Sequence, residues 1–391
     1  MKRKIAVFTG TRAEYGLLQP LLYQLKERES CELQLLVGGT HWSPQFGSTF
    51  QFIERDGFEI TAKLDFLLSS DSPSGVAKSM ALAMMTSADC LERLQPDLLV
   101  VLGDRYESLA VAQAAMLARL PIAHIHGGER TEGLIDEAIR HSLTKMAHLH
   151  FTTTEQYRRR VIQLGEQPEN VFNFGAPGID NIKSLKPVER RALSELLNID
   201  ITTRPFMMVT FHPVTLKETG GLDQLKALLF VLREFEDFQL VITYPNADTQ
   251  CQDLIDELNS FKSEFPSRVA LIQSVGQLNY LSLLNHCDVV VGNSSSGLIE
   301  APSFGIPTVN IGERQAGRIS GDTVIQCDST TDEIRNALRS ALCNDFKLKC
   351  KNAVNPYGEG NSASKMADVL CSASLSHLLK KVFYDFDETV K

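Results

Sequence analysis

Acidic and basic side chains are concentrated after two short apolar runs in the N-terminal half of the chain. The runs cover residues 98–102 and 122–125, and they are typical of buried parallel strands. Because the carboxyl ends of parallel strands meet at one edge of a sheet, we expect the polar residues that follow them to converge. These residues are Asp104, Glu129, Asp136 and Glu137, with Arg105, His126, Arg140 and His141 among them.

Carboxylates that lie close together ionise at different pH values, so one keeps a proton while another accepts one near neutral pH. This property suits the removal and return of a proton at a carbon atom. Asp104 and Glu129 directly follow strands and are the stronger catalytic candidates. The alternative for the 136–141 segment is a structural one, in which its carboxylates stabilise a helix N-terminus and its basic residues cap or solvate that helix. His124 alternates with His126, which predicts that one of the two histidines faces away from the site.

The segment 292–300 is predicted to bind an anion. It follows an apolar run at 287–291 and leads into a helical pattern, whose first N–H groups have no partner within the helix. Ser294, Ser295 and Ser296 add hydroxyl donors, and Glu300 is placed to accept the hydroxyls of a ribose. The alternative is an ordinary N-capped helix, since Ser and Asn favour that position.

A second anion-binding turn is predicted at residues 9–16, between the first strand and the first helix. Arg12 stands at the helix start, where it could contact a phosphate with two hydrogen bonds. A cation is unfavourable at a helix N-terminus unless an anion is bound, although a solvated Arg12 is the alternative. The turn lacks the GxGxxG pattern, so we expect no dinucleotide cofactor.

Three further segments of the C-terminal half carry candidate ligand-binding residues. His212 follows a strand at 206–210 and is a candidate for phosphate binding or for acid catalysis. Asn246 follows the next strand and could hold a base or phosphate, with a simple turn role as the alternative. Arg314 and Arg318 lie four residues apart, which places them on one helix face and suits a diphosphate if that segment is helical. Otherwise they are a basic surface pair.

Short apolar strands alternate with helical patterns along the whole chain, which is typical of parallel α/β architecture. The pattern restarts after about residue 175, near a Gly/Pro cluster at 175–178. The sequence therefore predicts two Rossmann-like domains, at 1–175 and 176–365, whose sheets face a central cleft. A helical segment at 366–391 is predicted to pack back on the N-terminal domain.

Composition excludes several classes of protein. The chain has 391 residues, 43% hydrophobic residues and a net charge of −9, which argues against nucleic-acid or anionic-membrane binding. The eight cysteines are scattered without a CxxC pair, so neither a metal site nor a disulfide scaffold is expected. Residues 1–4 are basic but precede a short strand, and no apolar run is long enough to span a bilayer. We expect a cytoplasmic protein.

Eight ordered motifs resemble those of the hydrolysing UDP-N-acetylglucosamine 2-epimerases of sialic-acid and related biosynthesis. They are TGTRAEYG at 9–16, GDRYE at 103–107, HIHGGE at 124–129, IDEAIRHS at 135–142, FHPVT at 211–215, YPNAD at 244–248, GNSSSG at 292–297 and ERQAGR at 313–318. The resemblance implies a GT-B-like fold, a homodimer or homotetramer, and no cofactor. It also implies the conversion of UDP-GlcNAc to ManNAc and UDP through a 2-acetamidoglucal.

By position in these motifs, the resemblance divides the candidate residues into two groups. The UDP-holding group is Arg12, His212, Asn246, Ser294, Ser295, Glu300 and Arg314. The group around the sugar is Asp104, Arg105, Glu129, Asp136, Glu137 and His141. Many family members have Glu in place of His126, which leaves open whether His126 takes over its acid/base role or whether Glu129, Asp104 and Asp136 carry the proton transfer.

The motifs leave alternative functions open. A 2,4-diacetamido-2,4,6-trideoxy sugar nucleotide of the legionaminic-acid route is an alternative substrate, because the deciding contacts surround C4 and C6. A GT-B glycosyltransferase shares the fold and the UDP site, although it needs fewer carboxylates than the cluster around Asp104 provides. A UDP-sugar sensor would bind the nucleotide sugar and leave it intact.

Overall fold

The computed structural model describes residues 2–70, 72–131, 135–214, 221–245, 251–273 and 275–386, without the side chain of Cys251. The chain forms two compact units. The first comprises Met1–Glu129, Asp136–Asn181 and Tyr357–Lys391, and the second comprises Arg130–Ile135 and Ile182–Pro356. These limits differ from the predicted 175/176 and 365/366 boundaries, because the first unit extends to Asn181 and takes up the chain again at Tyr357.

Within the described ranges, the first unit has one seven-stranded parallel sheet in the order β3-β2-β1-β4-β5-β6-β7. Its strands are β1 (Arg3–Thr9), β2 (Cys31–Gly38), β3 (Ala62–Leu64), β4 (Leu98–Leu102), β5 (Ile122–Ile125), β6 (Leu149–Thr152) and β7 (Val171–Asn173). The central strands β4 and β5 are buried at every position, as strands covered by helices on both faces must be.

Helices cover this sheet and fix the turns that follow its strands. They are α1 (Arg12–Glu27), α2 (Phe50–Arg55), α3 (Pro73–Leu94), α4 (Tyr106–Leu117), α5 (Asp136–Met146), α6 (Glu155–Gln163) and α7 (Gly178–Lys183), with 3-10 turns at Gly39–Trp42, Pro44–Phe46 and Pro168–Asn170. A capping box starts α1, because Thr11 accepts from the Glu14 N–H and the Glu14 side chain accepts from the Thr11 N–H.

The second unit, as far as it is described, is built on a six-stranded parallel sheet in the order β10-β9-β8-β11-β12-β13. Its elements are β8 (Phe206–Thr210), β9 (Gln239–Thr243), β10 (Val269–Ile272), β11 (Val289–Gly292), β12 (Thr308–Ile311) and β13 (Val324–Cys327), with α8 (Arg190–Leu197), α9 (Leu222–Leu232), α10 (Cys251–Glu264), α11 (Gly276–His286), α12 (Ser296–Ile299), a 3-10 turn at Ala301–Phe304, α13 (Thr331–Leu342) and α14 (Asn344–Lys351).

The chain returns to the first unit through its last helix, α15 (Ser362–Ser372). Met366 and Leu370 of α15 are fully buried in the core beneath α1. The Arg3 guanidinium donates to the carbonyls of Leu370 and Ala373 at 2.7 and 2.8 Å. Helix α15 is therefore part of the core of the first unit.

The prediction of two parallel α/β domains is confirmed. Strands β3, β6 and β13 were not predicted from the sequence. Strand β3 has only three residues, and β6 carries His150 and Thr152, which interrupt the apolar pattern. Of the helices described, none is long and apolar enough to cross a membrane.

Candidate active site

The candidate residues of the first unit follow three neighbouring strands, β1, β4 and β5. Arg12 begins α1 after β1, Asp104 and Arg105 lie between β4 and α4, and His126 follows β5. The chain order reverses between β1 and β4, and ligands of open parallel sheets bind at the carboxyl ends of strands at such a point. The topology thus gathers the predicted acid–base residues at one edge of this sheet.

Arg140 joins the carboxylates of this edge. Its side chain is 1% exposed and lies on α5, one turn after Glu137. The Arg140 Nε donates to Asp104 Oδ2 at 3.1 Å, and its Nη2 contacts the same oxygen. Its Nη1 donates to Glu137 Oε2 at 2.6 Å and to the Glu129 carbonyl at 3.0 Å. His141 Nε2 lies 3.1 Å from the other Glu137 oxygen. Arg140 and Glu137 therefore connect Asp104, the Glu129 backbone and His141 in one network.

His126 and Glu129 form a second, almost completely buried pair, with His126 Nδ1 2.9 Å from Glu129 Oε1. His126 is 7% exposed and has a φ of +69°, a left-handed conformation that few residues other than glycine adopt. Its Nε2 has no hydrogen-bond partner among the described residues. A buried polar atom without a partner, on a strained residue, indicates a functional position.

His124 is the histidine that faces away from this pair. Its Nε2 lies 2.7 Å from the Gly103 carbonyl oxygen and its Nδ1 lies 3.2 Å from Thr144 Oγ1. Burial lowers the pKa of His124 to about 3, so the ring is neutral. His124 therefore has a structural role, as predicted for one of the two histidines.

Two buried glutamates, Glu14 and Glu107, bond to the turns after β1 and β4, respectively. Glu14 Oε2 accepts from the Gly10 N–H at 2.7 Å, and Glu107 forms a two-bond ion pair with Arg105 at 3.1 Å for each bond. Burial raises the pKa of Glu14 to about 7, with the nearby Glu107 carboxylate adding to the rise against the opposing effect of Arg105. The turn bearing Arg12 is thus held by a carboxyl group that titrates near neutral pH.

This raised pKa predicts a pH-dependent stability. The unfolded chain loses the Glu14 proton near pH 4.5 and the folded chain near pH 7, so the free energy of unfolding should fall as pH rises between these values. Glu14→Gln cannot ionise, so the destabilisation that it causes should shrink by roughly 3 kcal/mol from pH 4.5 to pH 7. Urea unfolding at several pH values measures this change. The exposed control Glu29→Gln should show no such trend, and a constant difference for Glu14→Gln would contradict the expectation.

In the second unit, the candidate residues follow the neighbouring strands β8, β11 and β12. Asn293 holds the three turns together and is fully buried. Its side chain exchanges hydrogen bonds with the backbone of His212 at 2.7 and 2.9 Å. Its carbonyl accepts from Arg314 Nη1 at 3.2 Å and from Gln315 Nε2 at 2.8 Å. His212 and Arg314 are therefore brought together at the carboxyl edge of this sheet.

Burial, together with the charge of Arg314, lowers the pKa of His212 well below its ordinary value. The imidazole is consequently neutral near pH 7. A neutral imidazole can donate one hydrogen bond to a ligand.

The helix after β11 is shorter than the sequence pattern predicts. The α-helix covers only Ser296–Ile299, and Glu300 lies at the junction with the 3-10 turn Ala301–Phe304. Pro302 explains the interruption, because proline lacks the N–H that a continuing helix needs. The macrodipole of so short a helix is small, so any anion binding here depends on the N–H groups and hydroxyls of the 294–296 turn.

Glu300 and the turn remain in contact despite this difference. The Ser296 hydroxyl donates to Glu300, and the Tyr280 hydroxyl donates to Ser296 Oγ at 2.8 Å. Burial raises the pKa of Glu300. Gly292 has a φ of +133°, and a Cβ at this position would collide with the Thr210 carbonyl oxygen, so the close approach of β8 and β11 that positions this turn requires glycine.

The helical placement considered for Arg314 and Arg318 is wrong. Residues 313–318 form consecutive turns, with hydrogen bonds from the Ala316 N–H to the Glu313 carbonyl and from the Arg318 N–H to the Gln315 carbonyl. Gly317, at a φ of +85°, breaks any helical continuation. Asn246 lies outside the described residues, as do the end of the 211–215 motif and residues 132–134. Asp136 begins α5 and is partly buried.

Comparison with known proteins assigns this arrangement to a family. The sequence profile described as UDP-N-acetylglucosamine 2-epimerase matches residues 23–371. The chain belongs to the UDP-N-acetylglucosamine 2-epimerase family.

Two relatives and one solved structure are similar over almost the whole chain. The chain is 37% identical to a GDP/UDP-N,N'-diacetylbacillosamine 2-epimerase (hydrolyzing) of Campylobacter jejuni, covering 98% of this chain and 99% of the relative. It is 36% identical to polysialic acid biosynthesis protein P7 of Escherichia coli, over 99% and 98%. The crystal structure of UDP-GlcNAc 2-epimerase from Neisseria meningitidis bound to UDP-GlcNAc matches with a TM-score of 0.81 at 20% identity, over 94% and 99%. That likeness establishes the GT-B-like fold.

Two residues are central to the geometry of the site: Arg140, which the sequence placed among the converging polar residues without a site role of its own, and Asn293, which it did not single out. Arg140 stands in the IDEAIRHS motif and Asn293 in the GNSSSG motif, so the motifs contained the signal. No spacing in the sequence marks either residue as a centre of contacts. Glu137 shares α5 with Arg140, but Asp104 and Glu129 lie on other segments, and the His212 backbone that bonds to Asn293 follows a different strand. Among the described residues, no group of three or more His, Cys, Asp or Glu side chains is placed to hold a metal ion.

Proposed function

We propose that the chain is a hydrolysing UDP-GlcNAc 2-epimerase, which converts UDP-GlcNAc and water to ManNAc and UDP through a 2-acetamidoglucal. The observation that carries this proposal is the buried His126–Glu129 pair, with its unpartnered Nε2, next to the carboxylates joined by Arg140. A relative named as hydrolyzing and one named for polysialic acid biosynthesis support the reaction and its sialic-acid context.

In the proposed mechanism, the first-unit residues act on the sugar. His126, oriented by Glu129, removes the proton at C2, the electron pair forms the C1–C2 double bond, and the C1–O bond breaks with release of UDP. The oxygen of a water molecule then adds to C1 and the water gives up one proton to a carboxylate, while C2 receives a proton on the opposite face to give the manno configuration. One proton is released overall, together with UDP. Asp104 and Asp136 are the candidates for the second group that transfers a proton. Arg105, Glu137 and His141 contact the sugar.

The second-unit residues bind the nucleotide in this proposal. Arg314, His212 and the Ser294–Ser295 turn contact the diphosphate, and their hydrogen bonds stabilise the charge that develops on the leaving group. Glu300 accepts the ribose hydroxyls. Arg318 adds a cationic contact, and Asn246 adds a contact to the base or a phosphate. Arg12 of the first unit adds a further cationic contact to the nucleotide.

A second candidate substrate is the 2,4-diacetamido-2,4,6-trideoxy sugar nucleotide. The name of the Campylobacter jejuni relative favours it, because N,N'-diacetylbacillosamine is a sugar of this type. The C2 chemistry is the same for both substrates, since both carry an acetamido group at C2.

Proton NMR in heavy water tests these alternatives. Incubation with UDP-GlcNAc should give UDP and free ManNAc deuterated at C2. If only the diacetamido sugar nucleotide is turned over, the second candidate is correct. Sugar transfer to an added acceptor, or binding of both nucleotide sugars without turnover, would refute the hydrolysing epimerase in favour of a GT-B transferase or a sensor.

The Arg314→Ala variant tests the proposed nucleotide contact. Loss of a charge-assisted bond to phosphate costs about 1.5–3 kcal/mol, so the Kd for UDP should rise roughly ten- to hundredfold. Isothermal titration calorimetry measures this Kd. The matched control is Arg339→Ala, since Arg339 is an exposed arginine of α13 and should bind UDP normally. An unchanged Kd for Arg314→Ala would remove Arg314 from the nucleotide site.

We also propose that the protein forms a homodimer or homotetramer. Met85 of α3 and Leu117 of α4 are 66% and 68% exposed, and these two helices pack against each other. Exposed apolar side chains on paired helices are suited to burial against a second copy. Light scattering during size-exclusion chromatography gives the mass, and a monomer at micromolar concentration would contradict the proposal.

A further inference from the structure

The segment that follows α15 places a lysine against the end of α5. Lys381 Nζ donates to the carbonyls of Lys145 and Ala147 at 2.8 and 2.7 Å. It also lies 2.7 Å from Glu166 Oε2. All of these partners belong to the first unit. The last carbonyls of a helix have no partner within the helix, and a cation at this end also complements the helix dipole. Lys381 is therefore a C-terminal cap supplied by a residue more than 200 positions away.

Glu166 fixes this lysine in place. The carboxylate is 2% exposed and also accepts from Lys145 Nζ at 2.6 Å, and it lies 2.9 Å from His150 Nε2. Burial opposes its ionisation, but the hydrogen bonds from His150, Lys145 and Lys381 outweigh it and lower the pKa of Glu166 to about 2. The Glu166 carboxylate is consequently ionised throughout the physiological pH range.

The residues next to Lys381 hold the segment on the first unit. The Tyr384 N–H donates to the Gly165 carbonyl at 2.9 Å, and Gln167 Nε2 donates to the Val382 carbonyl at 3.1 Å. The Phe383 ring packs on Gly165, where a Cβ would collide with it. Lys145 Nζ lies 4.9 Å from the centre of the same ring. Lys381 is thus one of several contacts that hold this segment on the first unit.

The opposite end of α5 carries the candidate site. Asp136 and Glu137 begin the helix, and Arg140 and His141 follow within its first two turns. The helix has 11 residues and is about 16 Å long. A displacement of its capped end is transmitted to Arg140, because a helix moves as a nearly rigid body. Arg140 has to meet both Asp104 and the Glu129 carbonyl.

We propose that Lys381 is a positioning residue for the reaction, which caps α5 and so fixes the placement of Arg140 and Glu137. This inference rests on the proposed function, in which the two residues serve the sugar site. It gives the segment after α15 an indirect part in catalysis, through the position of α5.

The test compares Lys381→Met with Lys380→Met, which removes an exposed lysine one position earlier. Loss of charged hydrogen bonds should increase amide exchange of α5 about tenfold and lower kcat about tenfold, with the Kd for UDP unchanged. Lys380→Met should match the wild type in all three. Lys381→Arg should recover part of kcat, because guanidinium can also donate to carbonyls and carboxylate.

Several outcomes would overturn this proposal. Unchanged α5 exchange in Lys381→Met refutes the cap, and faster exchange with an unaltered kcat shows a purely structural role. If Lys381→Met does not fold, the same measurements on Lys381→Gln, which keeps one donor, decide between these outcomes. A wild-type protein that turns over neither UDP-sugar would refute the proposed function instead, while the exchange comparison would still decide whether Lys381 caps the helix.

Discussion

Replacing His126 with asparagine is expected to lower kcat by about three orders of magnitude, which is the size of effect that loss of a general acid or base produces. Asparagine tolerates the left-handed backbone that His126 adopts, at a φ of +69°, so the turn should keep its conformation. What is lost is the imidazole that lies 2.9 Å from Glu129. Steady-state kinetics on the preferred UDP-sugar gives kcat, and calorimetry should give an unchanged Kd for UDP.

The companion variant His126→Glu identifies what position 126 contributes. Glutamate can also exchange a proton. It should therefore keep more activity than His126→Asn, with a different pH profile of kcat. If His126→Asn kept more than a tenth of the wild-type kcat, the proton transfer would fall to Glu129, Asp104 or Asp136. Melting temperatures of both variants serve as the folding control.

The sequence was sufficient for features that depend on local pattern. Apolar runs such as residues 98–102 and 289–291 predicted buried parallel strands, and their order predicted two α/β domains. The turns after strands could be located for the same reason, since a polar residue directly after a buried strand lies at the carboxyl edge of its sheet. Asp104, His126 and His212 all occupy that edge in their own units.

The convergence of Asp104 and Arg140 was predicted, but the specific contacts between distant elements could not be predicted in this way. Arg140 on α5 pairs with Asp104 after β4, and Asn293 bonds to the backbone of His212. Neither pairing leaves a periodic signal in the sequence. The shortness of α12 is different, because Pro302 and Gly305 stand in the sequence and both interrupt a helix. Together they predict a short helix, and a short helix makes only a small dipole contribution at the 294–296 turn.

Asp104→Asn is expected to reduce kcat by about two to four orders of magnitude while leaving the Kd for UDP nearly unchanged. Asparagine has nearly the same shape but cannot take up or release a proton. It also leaves Arg140, which is 1% exposed, with one carboxylate fewer. Removing one partner of a buried ion pair costs about 3–5 kcal/mol when the charge is left uncompensated, and the Glu137 carboxylate should reduce that cost here.

Glu137→Gln separates the two consequences of Asp104→Asn, because it removes the other carboxylate that pairs with Arg140. If Asp104 acts only by balancing the charge of Arg140, both variants should lose similar stability and similar kcat. If Asp104 transfers a proton, Asp104→Asn should lose at least tenfold more kcat than Glu137→Gln at comparable melting temperature. Equal losses would reassign Asp104 to positioning Arg140, and a raised Kd for UDP in Asp104→Asn would contradict the division between sugar chemistry and nucleotide binding. Proton transfer would then rest on the His126–Glu129 pair and Asp136, which makes the comparison of these two carboxylates the decisive measurement for the first-unit site.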